Sequence, residues 1–244
     1  MSITLRSLAS LSILALSING SPAFAAPYSV VTLGDAAAEQ LGATVRCSAT
    51  IMTPAYACLD GTGFVEVLVR MMSRYEPTAF QNLAAKPART VDVGLEQVPM
   101  MSPRTNVAVL YVGTVDSAFI AGHKGYTLRQ WYADYDWLVG LIHRRAPLAK
   151  VILLTVPRPI LTDEESRVRA DVTGAMSRHI SRRPEPVLDL NCRNFSKAAF
   201  LDPTLAFLSD KGSSAIARGL FAISLGLTRE EASASACAAL RAEQ

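Results

Sequence analysis

The sequence predicts an α/β protein, a three-layer α/β/α sandwich around a central parallel sheet of about five strands. Three observations carry that expectation. Apolar runs at Tyr28 to Leu33, Asn106 to Val112 (NVAVLYV), Lys150 to Thr155 (KVILLT) and Pro186 to Leu190 (PVLDL) lack the alternation of a sheet wetted on one face, so both faces should be covered by helices. Helical patterns of crossover length separate these runs. The first run breaks at once into Gly34-Asp35 and an Ala-rich helix opening, the strand-turn-helix junction at whose edge α/β proteins place their chemistry.

The first 25 residues have a short n-region with Arg6, an apolar run from Leu8 to Ile18, and Ala23-Phe24-Ala25 before Ala26. This is the pattern of a secretory signal peptide with an A-x-A site cut after Ala25, and the apolar run is well short of the roughly 20 residues a membrane span requires. Two regions follow: 1–25 as signal peptide and 26–244 as one domain, about 220 residues, a size a single α/β domain fills. The expected location is the periplasm or the exterior, with no membrane span after cleavage. The formal charge of +3 is too small to imply nucleic-acid binding.

Four cysteines, Cys47, Cys58, Cys192 and Cys237, fit no Cys/His zinc spacing, and in an exported chain they favour two disulfides. Sequence permits three pairings. The favoured one joins Cys47 to Cys58 across a short loop and Cys192 to Cys237, tying the terminal helix to the last strand. No metal, phosphate or dinucleotide motif is present, so no cofactor is expected.

Along the chain, Thr44 to Cys47 is a candidate short strand, and the Gly-rich turn at 58–63 precedes a helix from Phe64 to Met72 with Phe64, Val65, Leu68 and Val69 on one face. Residues 75–104 carry four prolines and read as helix fragments and loop. A long helix, Tyr126 to Arg145, places an aromatic stripe toward the core. Thr162 and Glu165 stand in capping-box register for the next helix, which runs toward Pro184 with a basic face that reads as solvated.

Gly34-Asp35-Ala36 resembles the first motif of the SGNH (GDSL-type) hydrolase family, in which strand-Gly-Asp-Ser-helix carries the nucleophilic serine; the family's fold is the flavodoxin-like sandwich expected above. The resemblance extends through the chain in order. Gly61 matches the family's second motif, a backbone donor to the oxyanion. Gly113-Thr114-Val115-Asp116 matches its Gly-x-Asn-Asp, with Val115 where the family's oxyanion asparagine stands. The tail S-D-K-G-S-S-A-I-A, residues 209–217, places Thr204 and Phe207 at the acid and base positions of Asp-x-x-His.

What the resemblance implies is therefore split. The framing residues are present, but Ala36 cannot attack a carbonyl, Val115 cannot donate a hydrogen bond and Phe207 cannot take a proton. The expectation is a catalytically inactive SGNH-fold protein serving as a binding or accessory module for an acylated glycan or lipid, the substrate classes of the family. An active esterase with relocated residues is the alternative, with Ser117 and His123 as its candidates. A purely structural envelope protein is the third reading. Oligomeric state is not legible in the sequence.

Overall fold

The structure, a computed structural model, describes residues 28–35, 53–54, 62–85, 88–122, 125–159, 164–192, 195, 199–200 and 208–241. Its strands are β1 (Tyr28–Gly34), β2 (Thr53–Pro54), β3 (Thr78–Asn82), β4 (Val107–Tyr111), β5 (Lys150–Leu154) and β6 (Val187–Leu188). Its helices are α1 (Phe64–Met72), α2 (Thr90–Asp92), α3 (Thr114–Ala121), α4 (Leu128–Arg145), α5 (Glu164–Ser181), α6 (Asp210–Ser224) and α7 (Arg229–Arg241). A π turn, Val93–Gln97, and a 3-10 turn, Val98–Met100, continue α2.

The sheet order is β2-β3-β1-β4-β5-β6, with five strands parallel and β2 antiparallel on the β3 edge. Counting the parallel strands alone, the order is the flavodoxin-like one, in which the chain reverses direction of growth between β1 and β4. Alternate residues of each strand feed two separate cores. Val30, Val109, Tyr111, Ile152 and Leu188 pack against α1, α6 and α7. Val31, Leu33, Leu110, Leu153 and Val187 pack against the α2 region, α4 and α5. A strand whose neighbours on both sides are apolar must be apolar throughout, which is why β1, β4 and β5 read as unbroken runs. The sandwich predicted from sequence is the fold observed.

Local chemistry sets the helix bounds. The α1 range and its buried face, Phe64, Val65, Leu68 and Val69, are those read from the sequence. The long helix starts at Leu128 rather than Tyr126 because the Thr127 side chain caps it, accepting from the Gln130 N–H. Its aromatic stripe is core: Trp131 and Tyr135 are fully buried.

Three expectations need correction. Residues 75–104 hold a central strand, β3, as well as helical turns; TAFQN carries one large apolar residue and follows Pro77, so it lacks the hydrophobic run that marks its neighbours. The basic face of α5 is not simply solvated. Arg169 reaches across to α3, donating to the Ser117 hydroxyl and the Thr114 carbonyl, while His179 and Arg183 both meet Asp136 on α4. The last strand is also shorter than the expected 186–190, because Thr155 Oγ1 and the Asp189 carboxylate take the backbone N–H groups of Leu190 and Asn191. The expected strand at 44–47 lies outside the described residues.

Cys192 and Cys237 form a disulfide with Cα atoms 6.2 Å apart, fastening α7 to the chain just beyond β6. The proposed Cys47–Cys58 partner bridge lies outside the described residues. Closing a 45-residue separation restricts the unfolded chain by an amount worth about 4 kcal/mol in the loop-entropy account. Urea unfolding of Cys192→Ser/Cys237→Ser should show a loss of that order relative to the wild type, and an unchanged midpoint would mean that packing of α7 alone fixes the chain end.

Candidate functional site

In an open α/β sheet the ligand crevice opens at the carboxyl ends of the strands where the order reverses, here between β1 and β4. β1 ends in a glycine with positive φ, Gly34 at 152°, and a second, Gly113 at 115°, lies just beyond β4 as the N-cap of α3. Side chains rarely adopt such backbones, and a Cβ on Gly113 would meet Val156 at 2.6 Å. Each glycine turns the chain sharply, so that Asp35 follows β1 and Thr114 opens α3 on either side of the crevice.

Asp35 is fully buried, and its Oδ2 accepts from the Thr114 N–H at 3.0 Å and from the Thr114 hydroxyl. A carboxylate on the first N–H groups of α3 sits at the positive end of the helix dipole, where negative charge is favoured. Behind it, Gln97 grips Gly34 from a distance of 63 residues: its Oε1 accepts from the Gly34 N–H at 2.8 Å and its Nε2 donates to the Gly34 carbonyl at 2.9 Å. A primary amide matches a peptide unit donor for acceptor, so the side chain serves as a single rung of sheet at the end of β1.

A second buried carboxylate lies one turn into α3. Asp116 accepts from the Thr90 N–H and the Thr90 hydroxyl, and the Trp131 indole N–H donates to that same hydroxyl at 2.9 Å. Burial pushes the Asp116 carboxyl up to about 7; the Thr90 hydrogen bonds oppose that rise and the Asp35 charge adds to it. The Tyr111 phenol, at the end of β4, is held well above its ordinary range by burial and by Asp35.

Of the site residues named from sequence, Val115 and Ser117 are among the described residues. Val115 sits half-buried in the first turn of α3, at the crevice rim, where its side chain offers no donor. Ser117 is buried; its hydroxyl donates to the Thr114 carbonyl at 2.7 Å and accepts from Arg169 at 3.0 Å. A serine so placed holds a helix turn together. Ala36, Gly61, Thr204, Phe207 and His123 lie outside the described residues, as do Cys47 and Cys58. The flanks of their motifs are described: Thr62 Oγ1 donates to Asp210, joining the start of α1 to the start of α6, and Ser209 caps α6 by accepting from the Gly212 N–H.

Sequence reasoning missed Gln97, Thr90, Thr114 and Arg169 as builders of this edge. Thr114 and Arg169 were in view but carried no signal of their partners, and nothing around Gln97 marks it. Among the described residues, no group of three or more His, Cys, Asp or Glu is placed to hold a metal ion. What the described residues offer chemically is a rigid, polar-bonded rim.

Two outcomes test this geometry. Gln97→Ala leaves the buried Gly34 N–H without its acceptor, while the Gly34 carbonyl keeps the Ala85 N–H. The loss should be about 1–3 kcal/mol in chemical unfolding, the cost of one unsatisfied buried donor. The second concerns pH. Asp116 keeps its proton in the folded chain up to about 7, whereas the unfolded chain releases it near the ordinary value of 3.8. Between those values the folded state binds more protons, so stability contributed by this group is complete below pH ~4 and falls as pH rises toward ~7. Asp116→Asn should flatten that decline, measured as unfolding midpoints across the range, and an unaltered profile would remove the assignment.

No family model matches the chain, and no curated protein is significantly similar to it in sequence. Solved structures do match its fold. An extracellular lipase from Streptomyces rimosus superposes with a TM-score of 0.58 at 17% identity, covering 82% of this chain and 100% of that one. An acetyl xylan esterase gives 0.58 at 15% identity, over 80% and 98%. A phospholipase A1 from Streptomyces albidoflavus gives 0.55 at 16% identity, over 78% and 95%. At these identities the likeness shows the fold alone, an architecture this chain shares with these lipases and esterases.

Proposed function

We propose that the protein is an exported binding or accessory module on an SGNH-type scaffold, one that recognises an acylated glycan or lipid without turning it over. One observation carries the reading. The frame that would hold a nucleophile turn is intact, with Gly34 gripped by Gln97 and Asp35 bonded to Thr114, while the residue that follows in the sequence is Ala36. A methyl group there supplies no nucleophile. Val115 and Phe207 stand where the family's oxyanion asparagine and histidine would be, so donor and base are missing together.

Support for the ligand class comes by analogy from the neighbours, named as a lipase, an acetyl xylan esterase and a phospholipase A1. Support for export comes from the N-terminal pattern and agrees with the Cys192–Cys237 disulfide. A relocated dyad draws no help from Ser117, whose proton is already given to the Thr114 carbonyl.

The mature protein should hydrolyse p-nitrophenyl acetate no faster than a heat-treated control, while binding acetylated xylo-oligosaccharides or short-chain phospholipid in a saturable manner. Ala36→Ser alone should remain inactive for want of a base. Ala36→Ser with Thr204→Asp and Phe207→His is the smallest change expected to give turnover, and adding Val115→Asn should raise it by about 10² through the oxyanion. A robust wild-type rate that survives Ser117→Ala and His123→Ala would overturn the reading.

A further inference from the structure

The opposite edge of the sheet carries a feature that the crevice does not explain. A cleft of about 290 Å³ opens between the starts of β1 and β3 and the last turns of α1 and α6. That volume is at the small end of the roughly 300–1,000 Å³ typical of small-molecule pockets. Three aromatic rings line it: Tyr28, Tyr75 and Phe221. The Tyr75 and Phe221 rings form a tilted pair with centroids 5.9 Å apart, and Tyr75 keeps 77% of its surface exposed.

Among the residues that line the cleft, Glu76 is the one with a charged side chain. It enters no ion pair among the described residues, and its carboxylate is close enough to Tyr28 to help raise that phenol, after burial. Two helices end here, α1 at Met72 and α6 at Ser224, and a helix C-terminus carries partial negative charge. Cations stand nearby without lining the cleft, among them Arg70 in the last turn of α1. Lys150 donates its ammonium to the Ile223 carbonyl at 2.7 Å, Arg74 lies beyond the end of α1, and neither lines the cleft.

Aromatic faces attract a cation through their quadrupole, and the Glu76 carboxylate adds field of the same sense, while a strongly hydrated ion would gain little from the apolar walls of Met72 and Phe221. We propose that this cleft binds a small organic cation, a quaternary or alkylated ammonium group. Such a group has a greasy, weakly hydrated shell to place on the rings and a charge to place near Glu76. The cleft lies at the opposite end of β1 from Gly34 and does not depend on the function proposed for the crevice.

Choline is the probe, titrated calorimetrically into the mature protein, beside its neutral isostere in which a tert-butyl group replaces the trimethylammonium. Choline should bind saturably and at least about tenfold more tightly than the isostere, the difference being the charge. Glu76→Gln and Tyr75→Ala should each weaken choline about fivefold or more with the melting temperature unchanged, since both side chains are exposed. Phosphatidylcholine vesicles form the second arm. Co-sedimentation that choline displaces would identify a lipid headgroup as the source, and choline binding without co-sedimentation would identify a free ammonium compound. Equal affinity for the isostere, absence of saturation, or wild-type affinity in both variants would overturn the proposal.

Discussion

The buried carboxylate of Asp35 is the constraint on which the edge of this sheet depends. It closes the gap between β1 and β4 at the point where the sheet order reverses, and it does so by taking the first N–H of α3 and the hydroxyl beside it. Burying an ion is costly unless charge-assisted hydrogen bonds replace its water, and the positive end of a helix supplies them. The geometry leaves little freedom elsewhere. Asp35 can reach Thr114 only if both strands end in sharp turns, which is why Gly34 and Gly113 carry backbones that would cost another residue about 1–2 kcal/mol. Gln97 then fixes Gly34 from behind.

That edge is assembled by polar bonds more than by apolar contact. The α3 sequence, TVDSAFIA, is weakly amphipathic, yet the helix is held on three sides: by Asp35 at its start, by Thr90 and Trp131 through Asp116, and by Arg169 through Ser117 and the Thr114 carbonyl. Networks of this kind specify one arrangement because every member has a particular partner, whereas apolar packing tolerates small slides. Their weakness is that two carboxylates share one neighbourhood. The charge on Asp35 adds to the burial that raises Asp116, so the polar scaffold carries its own pH sensitivity.

How much of this the sequence disclosed follows the same division. β1, β4, β5 and α1 were legible because apolar burial leaves a periodic or continuous trace, and NVAVLYV could only be a strand with covered faces. β3 was hidden because TAFQN lacks that trace while occupying a central position. The site was legible as a set of motif positions, Gly34-Asp35 and Gly113 among them, but its working parts were not. Gln97 meets Gly34 across 63 residues, Thr90 meets Asp116 across 26 and Arg169 meets Ser117 across 52. A single hydrogen-bond partner at long range is set by the fold and writes no pattern into local sequence.

The polar bonds of this edge account for its framing residues on structural grounds. Gly34, Asp35, Gly113 and Thr114 are each engaged by the backbone turn or by one another, so their presence is accounted for by the stability of the sheet edge alone. The framing residues therefore report the architecture, and activity rests on the chemistry of the few side chains the frame presents.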